Sequence, residues 1–195
     1  MKRILIAAAV VALAGCQTEP HYTIVAPPAP QQPGPRLPQP PPPPVTSAGP
    51  LTKAGVGRYM DGQETDLRAL LRGKGIVVAR RGETLLVTIP SDRLFERQAI
   101  GWAGRDVLGG IARVLAHYDH AQVEVGAYTD LTGSPEQNLA VSQKRAAAVA
   151  AFLGASGVAP ARLSSQGYGA TNIKVSRGSD PRNRRIEIKI TPTPG

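Results

Sequence analysis

Thirteen of the nineteen prolines in this 195-residue sequence fall between Gln17 and Pro50, five of them in an unbroken row from Pro40 to Pro44. Proline fixes φ and has no N–H to donate, so such a stretch joins neither a helix interior nor a central strand. Its only formal charges are Glu19 and Arg36, and it holds too few apolar side chains to offset the entropy of ordering it. Residues 16–50 therefore read as a tether, about 100 Å long at full polyproline II extension. Folding is left to residues 51–195, enough chain for a single buried core.

The start of the chain predicts where that core resides. Lys2 and Arg3 precede an apolar run from Ile4 to Ala14. As a helix this run would span about 17 Å, short of the roughly 30 Å of bilayer hydrocarbon. Residues 1–15 thus read as a signal peptide. They end Leu13-Ala14-Gly15-Cys16, which resembles the bacterial lipobox, where small residues let a peptidase cut before a lipid-bearing cysteine. The resemblance implies that Cys16 becomes the acylated first residue. The alternative is an idle cysteine behind an ordinary cleavage site. Several acyl chains on one residue anchor stably where one would hold only marginally, and Gln17 in place of Asp implies, by the same analogy, the outer membrane with the domain in the periplasm. The PxxP spacing of the tether is then a weak ligand signal, since the domains that read it are not expected there.

That compartment governs how the charge is read. Net charge is +9 overall, and +7 over residues 51–195. Outside the cytoplasm nucleic acid is not an expected partner, and the charge suits anionic envelope polymers, lipid head groups or simply a soluble surface. Cys16 is the sole cysteine, which excludes an intramolecular disulfide framework and the standard cysteine-rich zinc sites.

Periodicity fills in the elements. Met60, Leu67, Leu70 and Leu71 lie at helical spacing before Gly73 and Gly75. Ile76–Ala79 and Leu85–Ile89 flank a glycine-containing turn and predict a hairpin. An irregular loop is expected from Pro90 through Phe95 to Gly101, then a helix carrying Val107, Leu108, Ile111, Val114, Leu115 and Tyr118 on one face. Val123, Val125 and Ala127 alternate with Glu124, Gly126 and Tyr128 as a strand. Ser134, Pro135 and Gln137 stand in capping-box register for the next helix, whose buried stripe is predicted as Leu139, Ala146, Ala150 and Leu153. Asn138, Ser142 and Arg145 share an edge about 100° round from that stripe. Gly157 is expected to end this helix in the left-handed region. Strands follow over Arg162–Tyr168 and Arg184–Ile190, the latter with Ile186, Ile188 and Ile190 inward, and a polar loop joins them. The fold class is α/β of the α+β sandwich kind: a βαβαββ mixed sheet with helices on one face, preceded by a short helix and a hairpin strand.

Catalytic signatures are lacking. His117 and His120 sit at a helix end far from any serine in a nucleophile-elbow context, and with Asp119 they match no standard metal spacing. Gly104–Gly110 has neither the phosphate-loop lysine nor a preceding strand. No catalytic residue, metal or cofactor is expected. There remain Asp130, at a strand exit, and Arg145, nearly three turns into the next helix. A carboxylate and a guanidinium on either side of a cleft would receive a zwitterion, the acid taking an ammonium and the fork gripping a carboxylate. The same residues also admit a plainer reading, in which Asp130 fixes its turn by an Asx bond and Arg145 bridges to it at the surface, contributing under about 1 kcal/mol.

The wider string weighs between these. Thr129-Asp130-Leu131-Thr132-Gly133, Asn138 through Ala146, Gly157-Val158, Arg162-Leu163, Gly167-Tyr168-Gly169 and Asn183-Arg184-Arg185-Ile186-Glu187 resemble the OmpA-like peptidoglycan-binding domain, over roughly Glu83 to Ile190. The resemblance implies that Asp130 binds the ammonium and Arg145 the carboxylate of diaminopimelate in the peptidoglycan stem peptide, with Arg184 a support near the groove. Asn138 and Ser142 fit the family's Asn-x-x-Leu-Ser pattern, although Val141 stands where its leucine usually does. The family commonly has Gly-His before Thr-Asp, where Ala127 and Tyr128 stand here, and Tyr128 is expected to stack or donate a bond at the site. Its first loop usually offers Asp or Asn after the phenylalanine, where Phe95 is followed by Glu96, Arg97 and Gln98. The organisation expected is a signal peptide over 1–15, lipidated Cys16 and tether over 16–50, a helical connector and first hairpin strand over 51–81, and the OmpA-like domain over 82–195. The function implied is an outer-membrane lipoprotein, held in the membrane through the lipid on Cys16, whose domain anchors the envelope on peptidoglycan without enzymatic activity. The rival is a scaffold of a secretion, motility or envelope complex that uses the domain for localisation and Gly55–Arg81 to recruit partners.

Overall fold

The computed structural model describes residues 49–195. The expectations for a signal peptide, for lipid on Cys16 and for the tether up to residue 48 lie outside the described residues.

The chain enters through a 3-10 turn capped by Thr52, whose Oγ1 accepts the Gly55 N–H at 3.2 Å. Helix α1 (Val56–Leu71) buries Val56, Met60, Gln63, Leu67 and Leu71, a three-to-four spacing that makes one stripe. It docks on α3 (Trp102–His117) through aromatic edges. The Tyr59 and Tyr118 rings meet edge-on at 5.3 Å, Tyr59 Oη accepts the His120 N–H at 2.7 Å, and Tyr118 Oη donates to Asp66 at 2.9 Å. Burial pushes the Tyr59 hydroxyl up to about 12.

Strands β1 (Val77–Arg81) and β2 (Thr84–Pro90) form the expected hairpin. Arg81 pairs with Thr84 around a two-residue turn whose first residue, Gly82, has φ +59, a conformation that admits glycine most readily. Next comes a departure from expectation. Residues 91–100 are not irregular: they form a one-turn helix α2 (Ser91–Leu94) and a two-stranded ribbon, β3 (Phe95–Glu96) with β4 (Ala99–Ile100). Elements this short leave no periodicity to read. After α3 come β5 (Ala121–Tyr128), α4 (Pro135–Ala155), β6 (Leu163–Gly167) and β7 (Arg185–Pro192).

The sheet runs β1-β2-β7-β5-β6, antiparallel throughout except for the β5–β6 pair, which α4 joins as a crossover. Its register lines up three apolar rows on one face: Leu85, Ile190 and Val123; Val87, Ile188 and Val125; Ile89, Ile186 and Ala127. All nine side chains are fully buried beneath the helices, and each large one stabilises the fold by about 1.5–3 kcal/mol relative to exposure. Hairpin strand β1 is hydrogen-bonded into this same sheet and α1 contributes to the same core.

Helix α4 starts on the predicted capping box, with Ser134 Oγ accepting the Gln137 N–H at 3.2 Å and Gln137 Oε1 accepting the Ser134 N–H at 3.3 Å. Gly157, at φ +102, follows its end. Its buried stripe differs from the expected one. Asn138, Ser142, Ala146, Val149 and Leu153 face the sheet, Leu139 is 52% exposed, and Ala150 is only half-buried. The reason is the Gly167-Tyr168-Gly169 segment. Ser142 Oγ accepts the Gly169 N–H at 2.9 Å and Gln143 Oε1 accepts the Gly167 N–H at 2.8 Å. A Cβ on Gly167 would overlap the Gln143 backbone nitrogen, so only glycine lets the β6 exit come this close. Polar residues therefore occupy the first turns of the stripe.

Candidate functional site

The site forms where β5 leaves the sheet. Thr129 N–H donates to the Gly169 carbonyl at 2.8 Å, pinning the exit, and Asp130 follows. Its Oδ1 accepts the Thr132 N–H at 3.0 Å in an Asx turn, and its Oδ2 accepts from Arg184 Nη1 at 2.9 Å. Only 8% of the Asp130 side chain is exposed. Burial acts to raise its pKa, but the hydrogen bonds from Arg184 and Thr132 outweigh burial and hold the carboxyl below the usual 3.8.

Arg184 spans two acids. Its Nη2 donates to Asp92 Oδ2 at 2.8 Å, and its carbonyl accepts the Ser91 N–H at 2.9 Å, so α2 is strapped to the start of β7. Both carboxylates push the Arg184 pKa up, Asp92 first. Asp92 is 65% exposed. Asn183, next to Arg184, is fully buried and organises the preceding loop. Its Oδ1 accepts the N–H groups of Lys174 and Val175, and its Nδ2 donates to the carbonyls of Val175, Arg177 and Gly178. The Leu131 N–H in turn donates to Gly178 O at 3.0 Å, tying that loop to the Asp130 turn.

Arg145 completes the cluster from α4. Its guanidinium lies over the Phe95 ring at 5.5 Å, within cation–π range, and is half-buried. It makes no hydrogen bond or ion pair with any described residue. Burial lowers its pKa, with Asp92 and Asp130 pulling the other way and Arg184 adding to the lowering, so all four charges share one field. The plain surface bridge between Asp130 and Arg145 does not form, because Arg184 holds that place. A guanidinium with its donors uncommitted, beside two carboxylates, can grip an incoming carboxylate while the acids receive a cation.

The other expected residues are placed differently. Asn138 is mostly buried at the start of α4, next to Gly169, and its side-chain amide has no hydrogen-bond partner among the described residues. Tyr128 is not brought to the cluster. Its ring projects from the outer sheet face, stacked on Tyr168 at 4.9 Å with the Arg185 guanidinium 3.9 Å above it. Strand alternation puts Tyr128 opposite Ala127, and two residues later the chain has left the strand, so Tyr128 and Asp130 need not share a face. Asp92 is the residue that sequence reading missed, since nothing local in Pro90-Ser91-Asp92 points to a partner ninety-two positions on. Two hydroxyls preceding the two acids, Ser91 and Thr129, are buried without a partner. Among the described residues no group of His, Cys, Asp and Glu could hold a metal, and no helix is long and apolar enough to cross a membrane.

A mixed sheet backed by helices, with a charged cluster at the exit of its single parallel crossover, defines a small α/β module. Residues 94–187 match the OmpA family. The chain is 38% identical over 143 residues to "Probable lipoprotein YiaD" of Escherichia coli (strain K12), covering 71% of this chain and 65% of that protein. It is 35% identical over 91 residues to the peptidoglycan-binding protein ArfA of Mycobacterium tuberculosis (strain ATCC 25618 / H37Rv), covering 45% of this chain and 28% of that one. It therefore spans less than two thirds of the length of these curated relatives. Among solved structures, the cell wall anchor of the T6SS from Pseudomonas aeruginosa superposes with a TM-score of 0.55 at 26% identity, over 65% of this chain and 96% of that one.

Proposed function

We propose that this protein is an outer-membrane lipoprotein, acylated on Cys16, whose periplasmic domain holds peptidoglycan noncovalently through diaminopimelate. Arg145 grips the carboxylate of that residue and Asp130 receives its ammonium, with Arg184 and Asn138 supporting the groove. The observation that carries the reading is the half-buried Arg145 guanidinium, held over Phe95 with no hydrogen bond or ion pair of its own. Burial acts against this charge, and an arriving carboxylate supplies the hydrogen-bonded partner that the guanidinium lacks. Arg184 now occupies Asp130, and an incoming ammonium replaces one cation by another while Asp92 retains Arg184 through its second arm. No carboxylate is left unpaired in that exchange. The likeness to a peptidoglycan-binding protein and to a lipoprotein supports the same assignment.

Co-sedimentation of the purified chain with sacculi tests it. Binding that is competed by a diaminopimelate-containing stem peptide is expected, and a chain left wholly in the supernatant would overturn the proposal. The assembly-component reading draws support from the likeness to the T6SS cell wall anchor and from α1 and β1, which precede the matched family stretch. Pull-down with the full chain and with Arg58→Glu and Arg81→Glu, exposed positions of that segment whose change leaves the core intact, separates the two.

A further inference from the structure

Trp102, the only tryptophan in the chain, is 81% exposed at the first position of α3. On the order of 150 Å² of aromatic surface is thereby left in water. Singly exposed apolar residues are ordinary, but the surroundings of this one are not. The Glu96 side chain folds back over Gly101, the residue before Trp102, so closely that a Cβ on Gly101 would overlap its carboxylate. That carboxylate makes no hydrogen bond or ion pair among the described residues. Arg97, at the tip between β3 and β4, has φ +60 and is the one non-glycine described residue with positive φ. Backbone strain of this kind costs on the order of 1–3 kcal/mol and persists where the surrounding structure imposes it. An exposed indole next in the chain to the glycine that an open carboxylate covers can form a platform for a sugar: the apolar C–H face of a pyranose lies on the ring, and its hydroxyl or acetamido N–H donates to the carboxylate.

The lip adjoins the charged cluster. Arg145 lies 5.5 Å from the Phe95 ring, Phe95 pairs with Ile100 across β3–β4, and Trp102 is two residues further on. Following that path, the indole lies within about 20 Å of the guanidinium, and less in a straight line. In a peptidoglycan stem, three links of about 3.5 Å, or roughly 10 Å, separate diaminopimelate from the muramyl sugar. A stem peptide held at Arg145 therefore has a reach of the same order as the distance to this lip.

The geometry points to a second subsite, formed by Trp102 and Glu96, that takes an N-acetylated amino sugar of the glycan strand. It rests on the wall-binding reading of the Asp130 and Arg145 site, and its test separates the two. The full chain in detergent is titrated with the free tripeptide of alanine, glutamate and diaminopimelate, and with the same tripeptide on its disaccharide. Trp102 emission, excited at a wavelength tyrosine does not absorb, reports the lip directly. The disaccharide form is expected to bind about five- to tenfold more tightly and to shift the emission to the blue, while the free tripeptide binds without a shift. Trp102→Ala should bring the disaccharide form down to the affinity of the tripeptide and leave tripeptide binding unchanged, and Glu96→Gln should remove part of the difference. Equal affinity of the two ligands in the wild type, or an unmoved emission spectrum, overturns the subsite while leaving the charged site standing. If neither ligand binds, the wall-binding reading falls and the subsite with it.

Discussion

Arg145 and Asp130 are proposed to grip the same ligand, yet the structure predicts that removing them has different consequences for the fold. Arg145 contributes no hydrogen bond; its one specific contact is the Phe95 ring at 5.5 Å, worth about 0.5–1 kcal/mol. Its burial acts against the charged form, so truncation also relieves a desolvated charge. Arg145→Ala should therefore leave stability within about 1 kcal/mol, and the melting temperature of a domain this size within about 4 °C. Ligand binding should behave in the opposite way. Two parallel charge-assisted bonds contribute about 3 kcal/mol together once partial exposure is allowed for, or roughly a hundredfold in Kd. Arg145→Lys keeps the charge but not the fork and should fall between. Asp130→Ala removes the acceptor for Thr132 N–H and for one arm of Arg184, carried by a side chain only 8% exposed. It should cost about 2 kcal/mol of stability as well as binding. Sacculus co-sedimentation beside thermal unfolding of the three variants measures both quantities. Wild-type binding by Arg145→Ala would refute the assignment, and a large drop in its melting temperature would show that the side chain serves the fold.

Three further outcomes are expected. Gln63 is fully buried in α1 with both amide atoms unpartnered, so Gln63→Met, nearly equal in volume, should raise stability by about 1–2 kcal/mol in chemical denaturation; a loss would mean that the amide has partners in solution. Asp130 has a folded pKa below its unfolded one, so its stabilisation is present above the unfolded value and disappears as pH falls through the folded value. The melting-temperature gap between wild type and Asp130→Asn should hold from about pH 5 to 7 and close below about pH 4; a gap that grows with acid reverses the sign and sinks the account. Cys16→Ser should abolish metabolic lipid labelling and release the chain from membranes, and persisting label would remove the anchor.

The parts of this fold legible in the sequence are those set by short-range rules. Ser134, Pro135 and Gln137 announced the start of α4 because a capping box closes within one turn. Ile186, Ile188 and Ile190 announced the inner face of β7 because strand period is fixed at two. Leu139 misled because the α4 stripe is chosen by what it meets. Gly167 and Gly169 bring backbone N–H groups to the helix, so polar Ser142 faces inward and the larger Leu139 turns to solvent. Asp92 was illegible for a similar reason: its role depends on Arg184, brought near only when β2 and β7 pair. The alternation that buries Val123, Val125 and Ala127 likewise sends Tyr128 to the other face, where it stacks on Tyr168.

The occupied state of Asp130 bears on how strongly a single domain can hold its ligand. An empty acid in this pocket would attract an ammonium strongly, but it would burden the unliganded fold with an unpaired, nearly buried charge. With Arg184 in place the fold keeps its charges paired, and the ligand gains only the difference between two cations on one carboxylate, together with whatever Arg145 adds. The affinity of one site is thereby held to a moderate level. If the chain is fixed to a membrane as proposed and faces a polymer of repeated epitopes, moderate affinity suffices, because many tethered copies would engage at once and each could exchange along the polymer without the whole attachment failing. In the proposed exchange the Asp92 anchor would hold Arg184 within reach of Asp130, so that the acid would be paired again when the ligand leaves.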